Sequence, residues 1–187
     1  MANDLKLSQI LRELEEISSG INNEPISEFT SALMQAERVF IAGAGRSGLM
    51  VRAFAMRLMH LGLSVFVAGD AITPSISKDD VLVIASGSGE TGTMVQFSQT
   101  AKKNGARLAL ITIFPDSTIG RLADIVIQIH APTTKSDNNE KAVPSIQPMG
   151  SLFEQSLLLV LDGVILELMN EIPRDVQSMI EMHANLE

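Results

Sequence analysis

The chain has 187 residues, 45% hydrophobic and 19% charged, with a net charge of −8 and no cysteine. That composition allows a sizeable core, fits one domain, and excludes disulfides, thiolate metal sites and a cysteine nucleophile. The acidic balance argues against a nucleic-acid partner, because phosphate-backbone binding needs concentrated positive charge, but it leaves a small anion open.

The first residues, MANDLKLSQILRELEE, carry acids where a signal peptide needs a positive region and an apolar core. No apolar run reaches the roughly 20 residues that span a bilayer. A soluble, cytoplasmic protein with no membrane partner is expected.

In chain order, residues 4–19 read as an amphipathic helix, with Leu5, Ile10, Leu14 and Ile17 at helical spacing. A short helix follows over about 26–36. VFIAG (39–43) is a strand, 47–61 a helix and SVFVA (64–68) a strand. VLVIA (81–85) is a strand, and 94–104 is a helix that Gly105 stops. RLALITI (107–113) and DIVIQI (124–129) are further strands, with a helical turn between about Ser117 and Leu122. Continuous apolar strands alternating with helices imply a parallel sheet covered on both faces. The expected fold is a three-layer α/β/α domain with five strands in the flavodoxin-like order 2-1-3-4-5 and helices at both termini.

Residues 131–150 break the alternation with a polar, three-proline loop. Loops of that length are usually functional or disordered. A helix over 151–171 follows, apolar on nearly every side, and its simplest burial is against another subunit. A last helix is expected from about Arg174 to Ala184.

Two glycine-rich loops follow the first and third strands: GAGRSG (43–48) and SGSGETGT (86–93). In the 2-1-3-4-5 order these strands are neighbours and their helices leave on opposite faces, so both loops border the crevice where such sheets bind ligands. Free backbone N–H groups at a helix N-terminus attract an anion. Gly45 and Gly87 let the backbone approach closely, and Ser47, Ser86, Ser88, Thr91 and Thr93 offer hydroxyls to phosphate oxygens. Taken singly, Thr91 and Ser47 are equally readable as N-caps and the other serines as turn formers. A cap needs one hydroxyl and this turn offers several, which favours phosphate. Arg46, inside the first loop, is a cation for phosphate or for a developing oxyanion. GAGRSG also matches the dinucleotide fingerprint, with Asp70 near the end of the second strand, but no substrate domain accompanies it. The P-loop lysine and spacing are missing, so a sugar phosphate fits better than a nucleoside triphosphate.

Glu154, in SLFEQSLLLV, is either an acid favoured by the helix dipole or a partly buried general base. His60 reads as a helix C-terminal cap, His130 as a surface residue and His183 as a solvated terminal histidine. Their scatter offers no metal-ligand spacing, and no cofactor is expected.

The paired loops resemble those of the sugar isomerase (SIS) family. The stretch QPMGSLFEQSLLLVLD (147–162), the short length and the ending MHANLE resemble the 6-phospho-3-hexuloisomerases within it. The resemblance spans essentially the whole chain, 1–187, as a single SIS domain. It implies interconversion of D-arabino-3-hexulose 6-phosphate and fructose 6-phosphate through a 2,3-enediol, the second step of formaldehyde fixation by the ribulose monophosphate pathway. It further implies phosphate binding at Ser47, Ser86, Ser88 and Thr91, a base at Glu154, and a homotetramer with sites near subunit interfaces. His183 would then complete a site, in related isomerases that of a neighbouring subunit. The implied functional partner is a 3-hexulose-6-phosphate synthase. Two other readings of the same fold stay open, an aldose–ketose phosphosugar isomerase and a non-catalytic phosphosugar sensor. A sensor would not need Glu154, and the acidic residues before the first strand are too short for a DNA-binding module with its own core.

Overall fold

A computed structural model describes residues 5–132, 145–173, 176–183 and 185. Their helices are α1 (Lys6–Ser19), α2 (Asn23–Gln35), α3 (Gly45–His60), α4 (Gly92–Lys103), α5 (Ser151–Glu171) and α6 (Val176–Glu181). Their strands are β1 (Val39–Gly43), β2 (Val65–Val67), β3 (Val81–Ala85), β4 (Arg107–Thr112) and β5 (Ile125–Gln128). The strands form one all-parallel sheet in the order β2-β1-β3-β4-β5, as expected.

The central strands are buried because they are apolar on both sides of the pleat: every residue of β3 is buried, and so are the first four of β1. Two apolar clusters result, one on each face. Phe29, Phe54, Leu58, Leu157 and Leu161 belong to the cluster under α1, α2, α3 and α5. Phe40, Leu82, Leu108, Leu110 and Ile119 belong to the cluster under α4. Gly105 ends α4 in the left-handed region at φ 77°, which a glycine adopts without steric cost.

Three expectations are corrected. Helix α2 begins at Asn23 rather than near Ile26, because the Asn22 side chain accepts the Glu24 N–H and Pro25 is tolerated in a first turn. Helix α3 begins two residues before Ser47. The apolar α5 is buried mainly within its own chain, packing on α1, α2 and α3, with Thr30 of α2 hydrogen-bonded to Glu167 of α5 at 2.9 Å. Leu159 and Leu166 remain exposed on its outer side. Most of the 131–150 loop, residues 133–144, lies outside the described residues, as do 1–4 and parts of the expected last helix.

Candidate active site

Gly43 at the end of β1 pairs with Ala85 at the end of β3. Adjacent strands lie about 4.8 Å apart, so the two glycine loops leave the sheet side by side. Helix α3 starts at once: Gly45 has φ 55°, and the Gly48 N–H closes the first turn on the Ala44 carbonyl at 3.1 Å. Ala44 is the N-cap and supplies no side-chain bond. Ser47 is therefore not a cap. It sits half-buried inside the first turn, beside Arg46. A Cβ on Gly48 would stand 2.6 Å from the Gly43 carbonyl oxygen. The last glycine of the fingerprint is thus required by helix-on-strand packing, with or without a nucleotide. Asp70 is bound in an ion pair with Arg52 at 2.8 Å, which holds its carboxyl below the usual carboxylate range.

The second loop is held from within. Ser86 is 4% exposed, and its Oγ accepts the Gly89 N–H at 3.1 Å and lies 3.2 Å from Thr91 Oγ1. Thr91 is the N-cap of α4, yet its side chain makes no capping bond. Ser88 Oγ accepts the Glu90 N–H at 3.2 Å. Helices α3 and α4 therefore both present N-termini without side-chain caps, the arrangement that receives an anion. Glu90 would oppose that anion if it faced the crevice. Instead its carboxylate accepts the Thr118 N–H at 2.6 Å, and this bond pulls its pKa down.

Helix α5 brings the third part. A Cβ on Gly87 would meet the Phe153 ring at 3.4 Å, so Phe153 packs against the second loop and sets the start of α5 beside it. The next residue, Glu154, lies in the first turn with its side chain 15% exposed, whereas the Arg46 side chain is 58% exposed. Arg46 Nε donates to Glu154 Oε2. The structure thus joins Gly45, Arg46 and Ser47 on α3 with Gly87 on the second loop and Glu154 on α5. Glu154 is thus both in the first turn of α5 and largely buried, a position that fits either account the sequence offered.

His183 does not join them within its own chain. Its ring stacks on His60 with centroids 5.3 Å apart. Arg46 and His60 stand near opposite ends of α3, about 21 Å apart at 1.5 Å rise per residue. His60 is no exposed cap: it is 2% exposed, and burial, then Arg57 and His183, push its pKa down. A cavity of about 440 Å³ beside this pair is lined by Arg57, Asp162, Met179 and both histidines among others, at the far end of α3 from Glu154. His130 is exposed, as expected. No group of three His, Asp or Glu among the described residues is placed to hold a metal ion. No helix among them is long and apolar enough to cross a membrane.

Sequence reasoning missed Glu13. Its carboxylate on α1 accepts the Ser145 hydroxyl at 2.8 Å, the Ile146 N–H at 2.8 Å and the Gln147 side-chain N–H at 2.9 Å. It thereby anchors the segment that leads into α5. Burial pushes its pKa up, but bonds from Gln147, Ile146 and Ser145 bring it below the ordinary value. Nothing in an amphipathic helix with several acids marks this one.

The SIS domain family matches residues 32–159. The chain is 42% identical over 181 residues to the 3-hexulose-6-phosphate isomerase of Bacillus subtilis, covering 97% of each chain. It is 44% identical to the 3-hexulose-6-phosphate isomerase of Mycobacterium gastri, over 97% of this chain and 89% of that one. A solved structure from Methanococcus jannaschii, from which a 3-hexulose-6-phosphate isomerase function was inferred, aligns with TM-score 0.83 and 31% identity over 97% of this chain and 99% of that one.

Proposed function

The chain belongs to the SIS domain family, and from that premise we propose that it interconverts D-arabino-3-hexulose 6-phosphate and fructose 6-phosphate, a reading supported by its likeness to relatives named 3-hexulose-6-phosphate isomerase. The observation that carries this reading is the largely buried Glu154 carboxylate at the crevice where the two glycine loops meet. We read residues 1–187 as one such domain. The reaction is an intramolecular oxidoreduction. Starting from fructose 6-phosphate, C2 goes from ketone to alcohol and C3 from alcohol to ketone.

Glu154 removes the proton on C3, and the electrons of that C–H bond form the C2–C3 double bond of an enediolate. N–H groups of the loops stabilise the negative oxygen, and Arg46 takes the phosphate. The proton returns from Glu154 to C2, and the C3 oxygen loses its own. Ser47, Ser88 and Thr91 face the phosphate, with Gly45 and Gly87 admitting it to the backbone. Ser86, already engaged with Gly89 and Thr91, shapes that loop. His183 shuttles the oxygen proton. We propose that it does so in a neighbouring subunit's site, a reading supported by its stacking on His60 at the other end of α3 from Arg46. We expect a homo-oligomer, with the tetramer as its form, in the cytoplasm and working without a metal or organic cofactor. A 3-hexulose-6-phosphate synthase supplies the substrate in formaldehyde fixation.

The test is proton NMR of fructose 6-phosphate incubated with the protein in D2O. Deuterium at C3 is expected. Deuterium at C1 would replace this reading with an aldose–ketose isomerase. Phosphosugar binding with no exchange at either carbon would replace it with a sensor.

A further inference from the structure

We propose that Arg46 blocks the Glu154 carboxylate in the free protein and is handed over to the phosphosugar on binding, so that the ligand itself uncovers the base. The proposal rests on the isomerase reading for what Glu154 does, but its geometry stands alone. Glu154 is the inner member of the pair and Arg46 the outer, 15% against 58% exposed. Arg46 Nε occupies Oε2. The other oxygen, Oε1, faces Gly150, where a Cβ would meet it at 3.5 Å. Oε2 is therefore closed to a carbon-bound proton until Arg46 moves.

Arg46 is placed to move. No described residue accepts from its two terminal nitrogens, and its backbone lies in the first turn of α3 beside Gly45. Both helix N-termini there lack side-chain caps. A phosphorylated ligand arriving at those N–H groups carries more charge than one carboxylate and accepts a guanidinium in bidentate fashion. The guanidinium then exchanges one anionic partner for another at the mouth, and Glu154 is released inward.

If one cation serves both anions, base and ligand compete for it, and neutralising the base should tighten ligand binding. The probe is glucitol 6-phosphate, which has no carbonyl and is not turned over, titrated by calorimetry into the full chain and into Glu154→Gln, Arg46→Gln and the double variant. Far-UV circular dichroism and melting curves confirm that all four are folded. We expect Glu154→Gln to bind roughly fivefold to tenfold tighter than the unaltered protein, the scale of one freed charge-assisted contact. In the Arg46→Gln background the same substitution should change binding less than about twofold, as a shared partner requires. An unchanged or weaker affinity in Glu154→Gln overturns the proposal. So does an equal gain in both backgrounds, which is mere relief of charge repulsion. The cycle reads binding alone. A failure of C3 exchange with the cycle intact sinks the isomerase reading and leaves the competition standing.

Discussion

Gly89 lies directly against Ser117: a Cβ on Gly89 would stand 1.9 Å from the Ser117 hydroxyl oxygen, and its φ is 62°. The second glycine loop is thereby seated on the turn that follows β4, and Gly89 also donates to Ser86 Oγ. Gly89→Ala combines left-handed strain with overpacking, a cost of about 2–4 kcal/mol. We expect a melting temperature lower by roughly 5–15 °C, measured by calorimetry. Phosphosugar binding should weaken with it, because the loop must shift.

Glu154→Gln keeps the shape of the side chain and removes its ability to take a proton. Turnover of fructose 6-phosphate should fall by about 10²- to 10⁴-fold, the usual contribution of a positioned acid–base group. Near-normal turnover would remove Glu154 as the base.

Glu13→Ala leaves the Ser145, Ile146 and Gln147 donors without their acceptor. Part of that segment is exposed and regains water, so a loss of about 2 kcal/mol is expected in urea unfolding. Because the segment runs into α5, kcat should fall several-fold more than the stability change explains at temperatures where the variant is fully folded. Unchanged kcat would confine Glu13 to holding the fold.

Asp80 is buried and accepts from Arg38, with N···O distances of 3.0 and 2.8 Å, and from the Ser77 N–H at 2.6 Å. Burial pushes its pKa up, but these bonds more than compensate and the folded value lies below normal. The stabilisation is then fully present above the unfolded carboxyl value of about 3.9 and is lost as pH falls through the lower folded value. Asp80→Asn should flatten the acid side of the stability profile, measured by urea midpoints from about pH 5 to pH 3. A profile as steep as that of the unaltered chain would assign the acid limb to other carboxyls.

His183→Ala and Glu154→Gln should each be nearly inactive under the shared-site reading. Unfolding and refolding them together should restore activity, because mixed oligomers contain sites with one intact residue from each subunit. Equal mixing that restores nothing would place each site within one chain.

Much of the scaffold was legible in the sequence, and the reasons are local. VFIAG and VLVIA are continuous apolar runs, and the 151–171 helix, apolar on nearly every side, is bounded by Gly150 and by Pro173 just beyond it; their limits agree with β1, β3 and α5. The strand order and the meeting of the glycine loops follow from the same alternation. What was not legible depends on side chains far apart in the chain. The apolar surface of α5 carries no mark of whether α3 or another subunit covers it. Arg46 and Glu154 are separated by most of the fold, so neither one's spacing announces the pair. Glu13 looks like its neighbours Glu15 and Glu16 until residues 145–147 arrive. His60 read as a helix cap and His183 as a solvated end because stacking leaves no periodic trace.

The contact of Gly48 with the Gly43 carbonyl has a consequence for substrate choice. It sets a minimum gauge between the first turn of α3 and the edge of the sheet. Any side chain at 48 would act as a shim, lifting the turn that carries Arg46 and Ser47 while Phe153, packed on Gly87, holds the start of α5 in place. The reach from anion to base would lengthen without a single polar group being altered. Gly48 therefore sets the spacing from which Arg46 and Ser47 reach toward Glu154, and a graded series of substitutions there would test whether that spacing governs the size of the sugar accepted.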